Sequence, residues 1–134
     1  MSVCQRSAIV GSVVVLAWSF AGLVVNPDFA VGSAATSELV LGVDMNGWHA
    51  VSGFLVAIPV LAGLKNGQLL PWVMVAASAG LLATAGWALL SEYPVGGLFY
   101  FPNRAGDVVL HIATASIFAF GAWSGLRRDS PASA

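Results

Sequence analysis

Apolar residues fall in four long runs, and nearly all charged residues are confined to the gaps between them. Residues 7–25, 47–64, 69–90 and 108–126 contain no Asp, Glu, Lys or Arg. About 20 apolar residues cross a hydrocarbon core of roughly 30 Å as a helix. The pattern therefore predicts an all-α, integral membrane four-helix bundle. Its single domain covers residues 1–128, with spans at about 7–25, 47–64, 69–90 and 107–126, and a disordered tail at 129–134.

The gaps set the connections. Met1 to Arg6 reads as a short polar start. Residues 7–25 read as a retained span; the rival is a cleaved signal peptide, but the apolar run exceeds the roughly 7–15 residues of a signal core. Asn26-Pro27-Asp28 stops this helix. A loop follows to Asn46, with a short amphipathic piece expected around 37–43. Asn46 or Gly47 opens the second span, which carries Pro59 in its interior. The turn Lys65-Asn66-Gly67-Gln68 is so short that spans two and three should be antiparallel neighbours. Pro71 falls in the first turn of span three, where its missing N–H costs little. Glu92-Tyr93-Pro94 ends that span, and the aromatic run Leu98-Phe99-Tyr100-Phe101 is expected at the membrane interface. The pattern thus divides into two helix-hairpin halves.

Composition agrees. The chain of 134 residues is 58% hydrophobic and 8% charged, against about 25% charged in soluble domains. The net charge of −1 offers no general attraction to nucleic acid. Cys4 is the only cysteine, which excludes an intramolecular disulfide; it reads as a simple thiol, with S-acylation as the alternative. Basic residues near span ends set orientation. Arg6, Lys65, Arg127 and Arg128 fall on one side, while Arg104 stands on the other beside Asp28, Glu38, Asp44, Glu92 and Asp107. Both termini are therefore expected in the cytoplasm, with the chain multi-pass in a plasma membrane. Trp72, Trp123, Trp48 and Trp87 sit near span ends, as interfacial rings do. Trp18 lies deeper and breaks the pattern.

The chain has two histidines, one near the start of span two and one near the start of span four. At 100° per residue, His49 shares a face with Gly53, Val56, Val60 and Gly63, and His111 with Ala115, Phe118, Ala122 and Gly125. Small residues let helices approach in lipid, so these faces should point inward. Gly121 and Gly125 add a G-x-x-x-G, and Ala76, Gly80 and Thr84 form a looser ridge on span three. Both histidines should lie at similar depth. They read as a polar tie across the bundle, as a bis-imidazole site for haem b or a metal ion, or as proton- or substrate-handling groups. Asn46 stands three residues before His49, and Asp107 four before His111. Asp107 is expected to cap the fourth helix. No nucleophile–base pair or phosphate loop is visible, and no carboxylate is expected within a span.

Two stretches carry a resemblance. Asn46-Gly47-Trp48-His49 followed by Gly53 is one. The other is Phe101-Pro102-Asn103-Arg104-Ala105-Gly106-Asp107-Val108-Val109-Leu110-His111, followed by an apolar helix and arginines. Together they resemble a bacterial family of small four-span membrane proteins catalogued as a domain of unknown function. That family shows roughly N-x-x-H-x-x-x-G at the second span and P-x-N-x-x-D-N-x-x-H-x-x-x-G at the fourth. Here the Asn103–Asp107 spacing is one residue longer, Val108 replaces an Asn and Ala115 a Gly. The resemblance implies the topology and the importance of both His motifs, and no reaction. The resulting expectation is a non-enzymatic structural or accessory subunit of a membrane complex, or a self-associating protein, with the lipid bilayer as its surroundings and no resident cofactor. The alternative is a redox protein holding haem or a metal through His49 and His111.

Overall fold

The computed structural model describes residues 1–90 and 105–127. Described residues are mostly helical, in four helices. The first, α1 (Val3–Val25), starts earlier than expected. Ser2 and Gln5 form a capping box, with Gln5 N–H donating to Ser2 Oγ at 3.2 Å and Ser2 N–H to Gln5 Oε1 at 2.9 Å. This S-x-x-Q signature draws residues 3–6, including Arg6, into the helix. At the other end the Asn26 N–H returns to the Gly22 carbonyl at 2.8 Å, and Pro27 follows.

The loop after α1 departs most from expectation. In place of an amphipathic piece at 37–43 it holds a 3₁₀ turn (Gly32–Ala34) and an antiparallel hairpin of β1 (Glu38–Val40) and β2 (Val43–Met45). Leu41 and Gly42 turn the corner with φ of 50° and 87°, so both central residues are left-handed, as a two-residue hairpin turn requires. Asp28 ties down the loop base, its carboxylate accepting from the N–H groups of Ala30 (2.8 Å) and Thr36 (2.7 Å) and from the Thr36 hydroxyl (2.8 Å).

Helix α2 (Gly47–Gly63) is capped by Asn46, whose Oδ1 accepts the His49 N–H at 2.9 Å. Pro59 lies within it, exposed, as the sequence requires. Asn66 starts the next helix: its side chain accepts from Gln68 N–H and its carbonyl from Leu69 and Leu70 N–H. Helix α3 (Leu70–Leu90) follows with Pro71 in its first turn, and α4 (Ala105–Leu126) completes the bundle. Helices α1, α3 and α4 are each long and apolar enough to cross a membrane, whereas α2 is shorter at 17 residues. Large apolar side chains point outward from the helices, among them Phe20, Leu55, Trp72 and Phe120.

Helix α1 packs along α2, and α3 along α4; the halves then join through α1 against α4. Spans two and three, expected as antiparallel neighbours, do touch, but less extensively than the other adjacent pairs. Their short turn brings Gly63 against Leu70, but α2 and α3 otherwise touch sparsely. The glycines explain the difference. An added Cβ at Gly121 would stand 2.5 Å from Ser7 Cβ, and one at Gly53 would strike Ser19 Oγ, so α1 lies tight on both α4 and α2. On α3, by contrast, an added Cβ at Gly80 meets nothing within 4 Å. The aligned faces read from the histidines are interior, with Val60 and Gly63 buried on α2 and Ala115, Phe118 and Ala122 on α4. Cys4 is buried inside α1, its Sγ 3.7 Å from Met74 Sδ, so the thiol is not presented for S-acylation.

The stop at Glu92, Tyr93 and Pro94, the aromatic run 98–101, Pro102, Asn103, Arg104, Arg128 and the tail 129–134 lie outside the described residues.

Candidate functional site

The end of the bundle that carries the hairpin gathers the polar residues singled out in the sequence. Strand β2 runs directly into the Asn46 cap, which places Asp44, Asn46 and His49 within one turn of chain. From the other half, α4 delivers Asp107 and His111. Gly106 makes the meeting possible: a Cβ there would overlap the Gly42 carbonyl oxygen, so only glycine lets the hairpin tip lie on the start of α4.

Asp107 differs from its expected role. Helix α4 begins at Ala105, so Asp107 lies inside the first turn and is fully buried rather than acting as the cap. Its Oδ2 accepts the Asp44 backbone N–H at 3.2 Å, and its Oδ1 lies 3.5 Å from His49 Nδ1. A carboxylate thus does lie within a membrane-length helix, contrary to expectation. Hydrogen bonding to the hairpin, together with the favourable helix N-terminus, offsets the cost of burying it.

His49 Nδ1 lies 2.8 Å from the Asp44 carbonyl oxygen. A carbonyl only accepts, so Nδ1 carries the proton and a neutral imidazole satisfies the contact. Ser37 Oγ donates to Asp44 Oδ1 at 3.3 Å, and Asn26 Nδ2 reaches the Met45 carbonyl at 3.3 Å. The network therefore joins α1, the hairpin, α2 and α4 in one layer. In the exposed loop beside it, the N–H groups of Ala30 and Thr36 hold the Asp28 carboxyl below its ordinary range.

His111 stands differently. The two rings stack, with centroids 5.5 Å apart and planes 11° from parallel, as the shared depth of the motifs implied. Yet His111 Nδ1 makes no hydrogen bond of acceptable geometry, although the Asp107 carbonyl one turn back lies within electrostatic reach of the ring. Beneath the rings is a cavity of about 80 Å³ walled by all four helices, with Trp18, Ser19, Gly53, Thr84, His111 and Thr114 among its lining. Trp18, the tryptophan out of place in the sequence pattern, belongs here. Thr114, one turn beyond His111, and the backbone of Asp44 had no distinguishing mark in the sequence.

This geometry does not suit a bis-imidazole haem. Both rings line one small cavity, their centroids 5.5 Å apart. The cavity of about 80 Å³ is well below the roughly 300–1,000 Å³ of sites for ligands smaller than a porphyrin. Among the described residues, no group of three or more His, Cys, Asp or Glu side chains is disposed to hold a metal ion. Of the predicted packing glycines, Gly53, Gly121 and Gly125 lie at close interhelical approaches, and Gly63 lies at the α2–α3 turn. No family model, curated protein or solved structure matches the chain.

Proposed function

We propose that the chain is a four-span integral membrane protein with both termini cytoplasmic, acting without catalysis as a structural or accessory subunit of a membrane complex. Three long apolar helices and the outward-facing apolar side chains support the membrane placement. Helix α2 is included as a span because 17 residues lie at the short end of the crossing range. The placement of Arg6, Lys65 and Arg127 at one end, with the hairpin and its acidic residues at the other, supports the orientation. The resemblance to the bacterial four-span family agrees with both.

One observation carries the non-catalytic reading. The polar groups of the first His motif and Asp107 of the second are spent on one another and on the hairpin backbone, as in His49 Nδ1 to the Asp44 carbonyl and Asp44 N–H to Asp107. A constellation used in that way fixes architecture. Mild-detergent extraction followed by native electrophoresis of a tagged chain tests the proposal. The expected result is a colourless protein, migrating in an assembly larger than one chain. A monomer, or a Soret band lost in His49→Ala, would overturn it.

A further inference from the structure

The cavity at the histidine pair is lined by both rings and also holds polar groups that the hairpin network does not use. Thr114 is 1% exposed and His111 8% exposed, both line the cavity, and among the described residues neither Thr114 Oγ1 nor His111 Nδ1 has a well-directed hydrogen bond, although the Asp107 carbonyl one turn back lies near the His111 ring. Trp18 Nε1, on the α1 wall, is likewise buried without a hydrogen bond among the described residues. Three such atoms around one space are costly in a poorly hydrated interior unless something fills the space and bonds to them. Among the described residues the lining includes no Lys, Arg, Asp or Glu to supply a counter-charge to a charged guest.

The way in is equally defined. Buried Met45 and the hairpin layer close the cavity toward the outer surface. The lining runs from Met45 and His49 at the start of α2 to Val56 two turns deeper, and on α4 it includes His111, about 9 Å from that helix's start. On the α3 side the wall is Gly80, Leu81 and Thr84; Gly80 is exposed, and an added Cβ there meets no atom within 4 Å. The opening therefore faces sideways, into the hydrocarbon region of the proposed membrane.

We infer that this cavity binds the uncharged, oxygen-bearing head of a single-chain lipid-soluble molecule, which enters laterally on the α3 side. Its hydroxyl accepts from Trp18 Nε1 and the Thr114 hydroxyl and donates to His111 Nδ1, or its carbonyl oxygen accepts from Trp18 Nε1 and the Thr114 hydroxyl. Its alkyl chain leaves past Gly80. A volume of about 80 Å³ admits a head of only a few heavy atoms, given that a water occupies about 30 Å³ of liquid.

The inference rests on the membrane placement proposed above, and retention of the chain in membranes washed with alkaline carbonate reads that placement separately. The test uses the full chain in lipid nanodiscs with a long-chain alcohol bearing a diazirine, a matching diazirine alkane, and unlabelled hexadecan-1-ol as competitor. The alcohol probe should label α1 and α4 saturably and be displaced by hexadecan-1-ol, while the alkane labels without saturation. Thr114→Val, which removes one hydrogen bond at constant shape, should weaken labelling about five-fold. Gly80→Leu, at a position with free space, should close the mouth and abolish saturable labelling without disturbing the fold. Equal labelling by the alkane, or undiminished labelling of both variants, would show a cavity filled by water alone and overturn the inference. Hexadecanoate competing as well as the alcohol would overturn the assignment of an uncharged head.

Discussion

Substitution of Gly121 by Ala isolates the contact that joins the two halves of the bundle. The new Cβ would lie 2.5 Å from Ser7 Cβ on α1 and also against Met74 Cε on α3. Carbon atoms prefer about 3.5–4.0 Å, so at least about 1 Å must be found. The Met74 methyl swings away on a flexible chain, but Ser7 Cβ is fixed to its backbone, so α1 and α4 must separate. Neighbouring contacts on that seam, Gly11 against the Phe118 ring and Gly125 against Cys4, then loosen too. Overpacking of this kind costs about 1–3 kcal/mol. Replacing a mid-helix glycine with alanine returns about 1 kcal/mol of helix propensity, which obscures the clash in a single variant. Gly80→Ala supplies the control, because it gains the same propensity where nothing lies within 4 Å. The propensity terms cancel between the two variants, leaving the overpacking alone. Gly121→Ala should unfold about 1–3 kcal/mol more easily than Gly80→Ala. Gly53→Ala should fall between them, since the Ser19 hydroxyl it meets can rotate. Reversible unfolding in mixed micelles of dodecyl maltoside and dodecyl sulfate, followed by circular dichroism, measures the difference. Values within a few tenths of a kcal/mol for Gly121→Ala and Gly80→Ala would refute close approach of α1 and α4 at Ser7.

Reporter fusions in the turn at 65–68 and after Ala134 should both read cytoplasmic, and a fusion within 30–38 should read external; an external signal from the C-terminal fusion reverses the orientation. In the same unfolding assay, His49→Ala should cost about 0.6–1.7 kcal/mol, the range of polar contacts between membrane helices, while His111→Phe should cost little because no well-directed hydrogen bond of His111 Nδ1 is lost. Equal losses from the two would remove the distinction drawn between the rings. The Asp28 carboxyl is held below its ordinary range by hydrogen bonds from Ala30 and Thr36. A depressed carboxyl stabilises its loop fully above the ordinary value near 3.9, and that contribution fades as pH falls through the lower folded value. Amide exchange at 30–36, corrected for its intrinsic pH dependence, should stay protected down to about pH 4 and open below it; Asp28→Asn should erase this pH step, and persistence of the step would place its origin elsewhere.

The helical layer was legible because hydrophobic runs of membrane length have few other solutions. Their inward faces were legible too, since His49 and His111 head stripes whose buried members follow the helical period. The hairpin was not legible. Leu41-Gly42 lacks the Asn or Asp that usually announces a two-residue turn, and β1 and β2 are three residues each, too short for alternation to register. Missing the hairpin hid Asp44, whose contribution to His49 comes through its backbone carbonyl and N–H and therefore leaves no trace in side-chain pattern. The start of α4 was misplaced by two residues for a related reason. Asp107 has the chemistry of a cap, but its partner is the hairpin backbone across the bundle, and that long-range contact cannot be read from local sequence.

The two histidines, equivalent by motif, are made unequal by one asymmetry in the chain. Before α2 the polypeptide arrives through β2, so a carbonyl lies ready beside the His49 ring at 2.8 Å. The described start of α4 contributes Asp107 to the hairpin but leaves His111 Nδ1 without a well-directed hydrogen bond. A structural tie needs only the first arrangement. Had both histidines been ties, stacking the rings would have left no polar demand below them, and the cavity wall could have been apolar. Instead Thr114 and Trp18 face the same space with polar atoms of their own. The layer at the hairpin end is thus tied to the backbone through His49 and Asp107, whereas the space beneath retains polar atoms of its own at Thr114 and Trp18 and an exposed wall at Gly80. Architecture and binding are divided between the two imidazoles: His49 holds the roof, and His111 belongs to what lies under it.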